Sequence, residues 1–147
     1  MKVLDIICAI LGAIGGAIAT AFGGWTHSLT TLLIVMAADY VTGLIVAGVF
    51  KKSPKTETGG LESKAGWKGL FRKGGTLLVV LIACRLDIEL GTTYIRDAVV
   101  IAFIVNEVVS LVENVGLMGV PIPKPILEGI DILKKKSIIS KEDNTKK

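Results

Sequence analysis

Three carboxylates fall inside stretches that otherwise read as hydrocarbon: Asp39 in the run 29–50, and Glu107 and Glu113 in the run 97–120. The second run, DAVVIAFIVNEVVSLVENVGLMGV, also holds Asn106, Ser110 and Asn114. Such groups can take up protons or cations, line a water-filled path, or hydrogen-bond one helix to another. A charge at the centre of a spanning helix costs at least ~2.5 kcal/mol, so an acid kept there is a functional candidate. At helical spacing Asn106, Ser110, Glu113 and Asn114 fall on one side with Glu107, giving a helix with one wet or protein-facing face. A simple anchor has no use for that face. In the earlier run Asp39 is followed by Thr42 and Gly43. Two roles are open for Asp39. It either bonds Thr, Tyr or Asn on a neighbouring helix, or lines a water-filled opening and tunes the assembly of many copies. An ion-coupled transporter would also use such an acid, but the chain shows neither the internal repeat nor the broken helices that design requires.

The elements that carry these groups follow from composition. The chain has 147 residues, of which 51% are hydrophobic, and its apolar residues come in long blocks rather than at periods of two or 3.6. With a mean hydropathy of +0.64, that marks an all-α integral membrane protein. Four blocks cover about 3–25, 29–50, 74–91 and 97–118. A span needs ~20 mostly apolar residues; the first two blocks qualify, the fourth is long enough, and the third is clean only up to Cys84. The basic residues cluster in the linker 51–73 and in the tail 121–147, while the connection 26–28 has neither Lys nor Arg. The positive-inside rule therefore predicts two helical hairpins, four transmembrane helices, and both termini in the cytoplasm. The alternative is three spans, with block three or block one lying in the interface. Asp5 and the length of the first block argue for an uncleaved helix rather than a signal peptide, although Ala19-Thr20-Ala21 resembles a cleavage site.

The first block has a large-residue face (Ile7, Leu11, Ile14, Ile18, Phe22) and an opposite ladder of small residues: Ala9, Ala13 and Ala17, with Gly12 and Gly16 beside them. Small faces let helix backbones approach closely in lipid. The partner is either this chain's own second helix or another copy, and the pattern fits both. In the linker, Trp67 and Phe71 alternate with Lys64, Lys68 and Arg72, followed by Lys73. This predicts a short amphipathic stretch on an anionic membrane surface, without lipid specificity. Pro121, Pro123 and Pro125 stop the last span. Ile126, Ile130 and Leu133 then predict a short amphipathic helix, and the last ten or so residues read as disordered.

Catalysis has no foothold. The single histidine, His27, sits in a short turn beside Trp25, and Cys8 and Cys84 lie in separate apolar blocks. No catalytic, cofactor-binding or metal-binding set is expected, and no cofactor. The basic residues lie where a membrane protein keeps its cytoplasmic ones, so no nucleic-acid partner is expected either.

The polar residues also fall in a recognisable order. Asp39-x-x-Thr42-Gly43 is followed by Ser63-Lys64-x-Gly66-x-x-Gly69, Arg72-Lys73 and Asp87. Then come Asn106-Glu107-x-x-Ser110-x-x-Glu113-Asn114 and Gly119-x-Pro121-x-Pro123. From about Leu33 to Leu133 this resembles the toxin-secretion/phage-lysis holin family of Gram-positive phages and clostridia. The resemblance implies a small homo-oligomeric protein that gathers in the host's cytoplasmic membrane and opens large lesions. Through them an endolysin, or in some relatives a toxin, reaches the cell wall without needing direct contact with the holin. The residues alone also suit a small ion channel or an antiholin-like regulator.

Overall fold

In the computed structural model, residues 2–132 and 135 are described, and among them there is no strand. Helix α1 spans Val3–Ala21. Helix α2 spans His27–Ile45 and runs on through a π-helical turn, Val46–Phe50. Helix α3 spans Ser63–Leu90 and α4 spans Tyr94–Leu117. A further helical segment covers 124–132.

Local chemistry sets the boundaries. The Thr26 side chain caps α2 by accepting from the Leu29 amide at 3.2 Å. Gly91 closes α3 in the left-handed conformation, φ 64°. Helix α4 ends at Leu117, where Gly119 turns left-handed (φ 90°) ahead of the prolines, and helix resumes at residue 124. The Leu133 half of the expected tail amphipathicity, and the end expected to be disordered, lie outside the described residues, but Ile130 is buried.

The largest departure from expectation is α3. Its 28 residues, about 42 Å of helix at 1.5 Å per residue, join the amphipathic stretch 63–73 to the third apolar block. The loop is thereby cut to 51–62. No proline interrupts 63–90, and Lys, Leu, Arg and Ala supply helix propensity. Packing offsets the glycines: β-carbons placed on Gly66 and Gly69 would stand 3.7 and 3.8 Å from Tyr40. Those two glycines form a flat seat for that ring, and Tyr40 donates its hydroxyl to the Gly66 carbonyl at 3.4 Å. The shortened loop turns at Gly59, φ +74°, where a β-carbon would come within 2.5 Å of the Lys51 carbonyl oxygen.

The core is a three-helix affair. Leu29, Leu32 and Met36 of α2 pack on Val80 and Cys84 of α3 and on Val100 of α4, with Phe22 and Phe103 against them. The turn after α1 abuts the end of α3, since a β-carbon on Gly23 would meet Ile88 Cδ1 at 2.9 Å. Both short turns therefore lie at one end of the bundle and the loop 51–62 at the other, with α3 antiparallel to α2 and α4.

Polarity is inverted relative to a water-soluble protein. Asp39, Asp87, Glu107 and Asn114 are buried, whereas Ile34, Val41, Leu78, Val79, Ile82, Ile101 and Val108 face outward. Three helical segments are long and apolar enough to cross a membrane: Val3–Ala21, His27–Phe50 and Tyr94–Leu117. Helix α3 is long but less apolar, and it meets the rest of the bundle through Val80, Ala83, Cys84 and Asp87.

Candidate functional site

Asp39 projects from the middle of α2 into the space between α3 and α4. Lys73 of α3 donates from Nζ to Asp39 Oδ2 at 2.8 Å and also to Glu107 Oε2 of α4. The Lys73 side chain is 14% exposed, Asp39 7% and Glu107 8%. One ammonium thus bridges two carboxylates, the three groups coming from three different helices. Lys73 was expected on the membrane surface with Lys64, Lys68 and Arg72; it lies instead inside the bundle. Its stem begins in the basic turn of α3, and Asp39 and Glu107 draw the charged end inward, because a buried acid with no cation nearby is strongly unfavourable.

The other side of Asp39 is held by Asn114. The Asn114 amide nitrogen donates to Asp39 Oδ1 at 3.0 Å, to the Asp39 carbonyl at 3.1 Å and to Thr42 Oγ1 at 3.1 Å. Thr42 in turn donates to the Ala38 carbonyl at 2.8 Å. Gly43 leaves room opposite: a β-carbon there would lie 3.7 Å from Asn114 Nδ2. Ser110 stands beside the Asp39 carboxylate. Asp39, Thr42, Gly43, Glu107, Ser110 and Asn114, spread over two sequence motifs, therefore form one cluster completed by Lys73.

The polar face of α4 is not a single surface. Seven residues are nearly two turns, so Glu107 and Asn114 share one line, while Asn106 and Glu113 share another about 100° away. The first line is buried; Asn106 and Glu113 are exposed. That second line borders a cleft of about 740 Å³ between α4 and the N-terminal half of α3, which Lys68 and Arg72 line from the opposite wall. Lys64 is exposed and is not among the residues lining that cleft.

The model of the bacteriophage holin family matches residues 16–135. The chain belongs to that family. A protein described as a probable holin, from Bacillus phage phi105, is 31% identical over 75% of this chain and 76% of its own. An uncharacterized protein of Halalkalibacterium halodurans is 39% identical over 86% of this chain and 90% of its own. An uncharacterized 14.9 kDa protein of Clostridium perfringens is 36% identical over 78% and 83%. No solved structure matches.

Two residues of this holin-family chain named from the sequence take roles that the sequence reading did not give them. Asp87, at the end of α3, caps α4 from a distance. It accepts from Thr92 Oγ1 at 2.5 Å, from the Ile95 amide at 3.2 Å and from the Arg96 amide at 2.8 Å. Thr93, the residue in the capping position itself, makes no side-chain cap bond. An acidic residue shortly before a turn and a new helix was the available signal. For Lys73 the signal was stoichiometric: mid-span acids need a cation, and Lys73 directly precedes the third block.

Two partners are open to the small-residue face of helix α1, this chain's own second helix or another copy. None of its residues is buried, and β-carbons on Gly12 and Gly16 would meet nothing within 4 Å. The ladder Ala9, Ala13, Ala17 does not seat on α2 of the same chain. Cys8 is exposed and Cys84 buried, both as free thiols. Among the described residues no group of three His, Cys, Asp or Glu could hold a metal ion.

Proposed function

We propose that this protein is a hole-former. It accumulates in the bacterial cytoplasmic membrane, self-associates, and opens lesions through which an endolysin reaches the cell wall. Membership of the bacteriophage holin family over residues 16–135 is the observation that carries this reading. The internal charge matching supports it. A chain whose Asp39 and Glu107 are held by Lys73 and Asn114 can build up in the bilayer without presenting those two charges to lipid. A bundle of this size encloses no passage for a folded protein, so a lesion must be walled by many copies. The exposed line of Asn106 and Glu113 gives each copy a wettable face, and unpartnered α1 gives it a small-residue face for association.

In this reading α3 is a fourth span, tolerated because its polar positions pack against α2 and α4. The basic loop 51–62, the start of α3 and the tail then face the cytoplasm. Opening requires the Lys73 cluster to exchange its partners for water, so the cluster sets when lysis begins. Two carboxylates around one ammonium leave an excess negative charge inside. Glu107→Gln removes it while keeping an acceptor, which favours the closed bundle by about 1 kcal/mol or more. Lysis is then expected later at equal membrane abundance; unchanged timing would count against the cluster as the clock.

The function itself is tested by induced expression in a bacterium, with and without a co-expressed cytoplasmic endolysin, following culture density and membrane potential together. Abrupt depolarisation, with clearing only when the endolysin is present, is the expected result. Gradual depolarisation without release of the enzyme would instead identify a small channel or a regulator.

A further inference from the structure

The cleft between α3 and α4 is open and lined mainly by polar and charged residues, in a bundle with many exposed apolar side chains. Its walls carry Lys68, Arg72 and Thr76 from α3 and Asn106, Ser110 and Glu113 from α4. Lys55 of the loop also lines it, and Asp39, Lys73 and Glu107 form its floor. Acyl chains cannot satisfy such a lining. Counted from Leu90 at 1.5 Å per residue, Arg72 lies about 27 Å and Lys68 about 33 Å along α3. These positions bracket the far boundary of a hydrocarbon layer ~30 Å thick. Round the same turns, Trp67 and Phe71 stand about a quarter turn from Lys68 and Arg72 and are exposed with Leu70, the two rings 6.1 Å apart, as suits an interfacial aromatic anchor.

The charge balance of the cleft favours an anion. Asp39 and Glu107 are already engaged by Lys73. Over the whole lining, Lys55, Lys68, Arg72 and Lys73 exceed Asp39, Glu107 and Glu113 by one positive charge. An occupant must therefore be an amphiphile, anionic at the head and apolar where it emerges beside Leu70 and Phe71. We propose that this cleft binds the headgroup phosphate of an anionic phospholipid, held by Lys68, Arg72 and Lys55, with its acyl chains along the apolar flank of α3. The bound lipid would clamp α3 to α4, the helices that the Lys73–Glu107 pair also joins. The site stands independently of hole formation; its depth rests on α3 as the proposed fourth span, and its assignment to the cytoplasmic leaflet on the proposed orientation.

The test uses the full-length protein in nanodiscs of equal parts phosphatidylglycerol and phosphatidylcholine, with retained lipid measured by native mass spectrometry. Wild type is expected to retain phosphatidylglycerol over phosphatidylcholine by on the order of tenfold. K68Q/R72Q should abolish that preference, while K64Q, outside the cleft, should keep it. Should K68Q/R72Q fail to assemble, K55Q in the loop carries the same readout and is expected to weaken the preference. No preference in wild type, or equal loss in K64Q, would overturn the site. Displacement by inorganic phosphate at the same concentration as the lipid would overturn the lipid assignment in favour of a general anion site. Because lysis is not the readout, failure here leaves the hole-former reading untouched.

Discussion

Lys73→Met will destabilise the bundle more than any other single substitution of a polar residue. It leaves Asp39 and Glu107 facing each other at 7% and 8% side-chain exposure with their shared ammonium gone. Removing one partner from a buried ion pair costs ~3–5 kcal/mol, most of it the penalty of the stranded charge. Thermal unfolding of the detergent-solubilised protein should move down sharply, and membrane abundance should fall with it. Where protein survives, lysis should come early, because the closed arrangement has lost its tie across three helices. The neutral triple variant D39N/K73M/E107Q provides the decisive comparison. With no charge left to bury, it should recover most of the stability, though not the timing of the wild type. If K73M alone unfolds at the wild-type temperature, the bridge contributes nothing and the proposed clock has no mechanism.

Asp87→Ala is the second large effect, and it acts on a different joint. Three donors now end on one buried carboxylate: the Thr92 hydroxyl and the Ile95 and Arg96 amides. Deleting it leaves the first turn of α4 without a cap, since Thr93 makes no cap bond. Loss of a helix N-cap costs ~0.5–2 kcal/mol, and hydrogen bonds to a charged group are worth ~1.5–3 kcal/mol, so a total near 3 kcal/mol is expected. Asp87→Asn, which still offers one oxygen, should lose about half of that. Amide hydrogen exchange at Ile95 and Arg96 should accelerate in D87A while the Lys73 end of the bundle stays protected. Uniform acceleration would show that Asp87 supports the whole fold rather than the start of α4.

The cluster and the cap explain why the sequence was readable only up to a point. Helix existence was open to inspection because apolar run length, prolines and turn residues are local properties. Blocks at 3–25, 29–50 and 97–118 correspond to α1, α2 with its π turn, and α4 within a few residues. Residues 63–73 were harder, since a basic amphipathic stretch suits a surface helix and the start of a packed one equally well. The Tyr40 seat on Gly66 and Gly69 decides between them, and that contact joins residues 26 apart. The polar face of α4 was visible as spacing, but its division into a buried line and an exposed line depends on where α2 and α3 stand.

What the sequence determined by itself was the solvent and the cost: a mostly apolar helical chain carrying acids that must be matched. Those follow from composition and from the free energy of placing charge in hydrocarbon, which need no coordinates. The tertiary structure alone decided which cation matches which acid, that Asn114 reaches Asp39, that Asp87 caps the next helix, and that α1 stays unpartnered within the chain. Pairings such as Lys73 with Asp39, 34 residues apart, and Asn114 with Asp39, 75 apart, are set by helix rotation and stagger. Those quantities are fixed by packing among Leu32, Val80 and Val100 rather than by any local pattern, because rotation of a helix changes every contact on it at once.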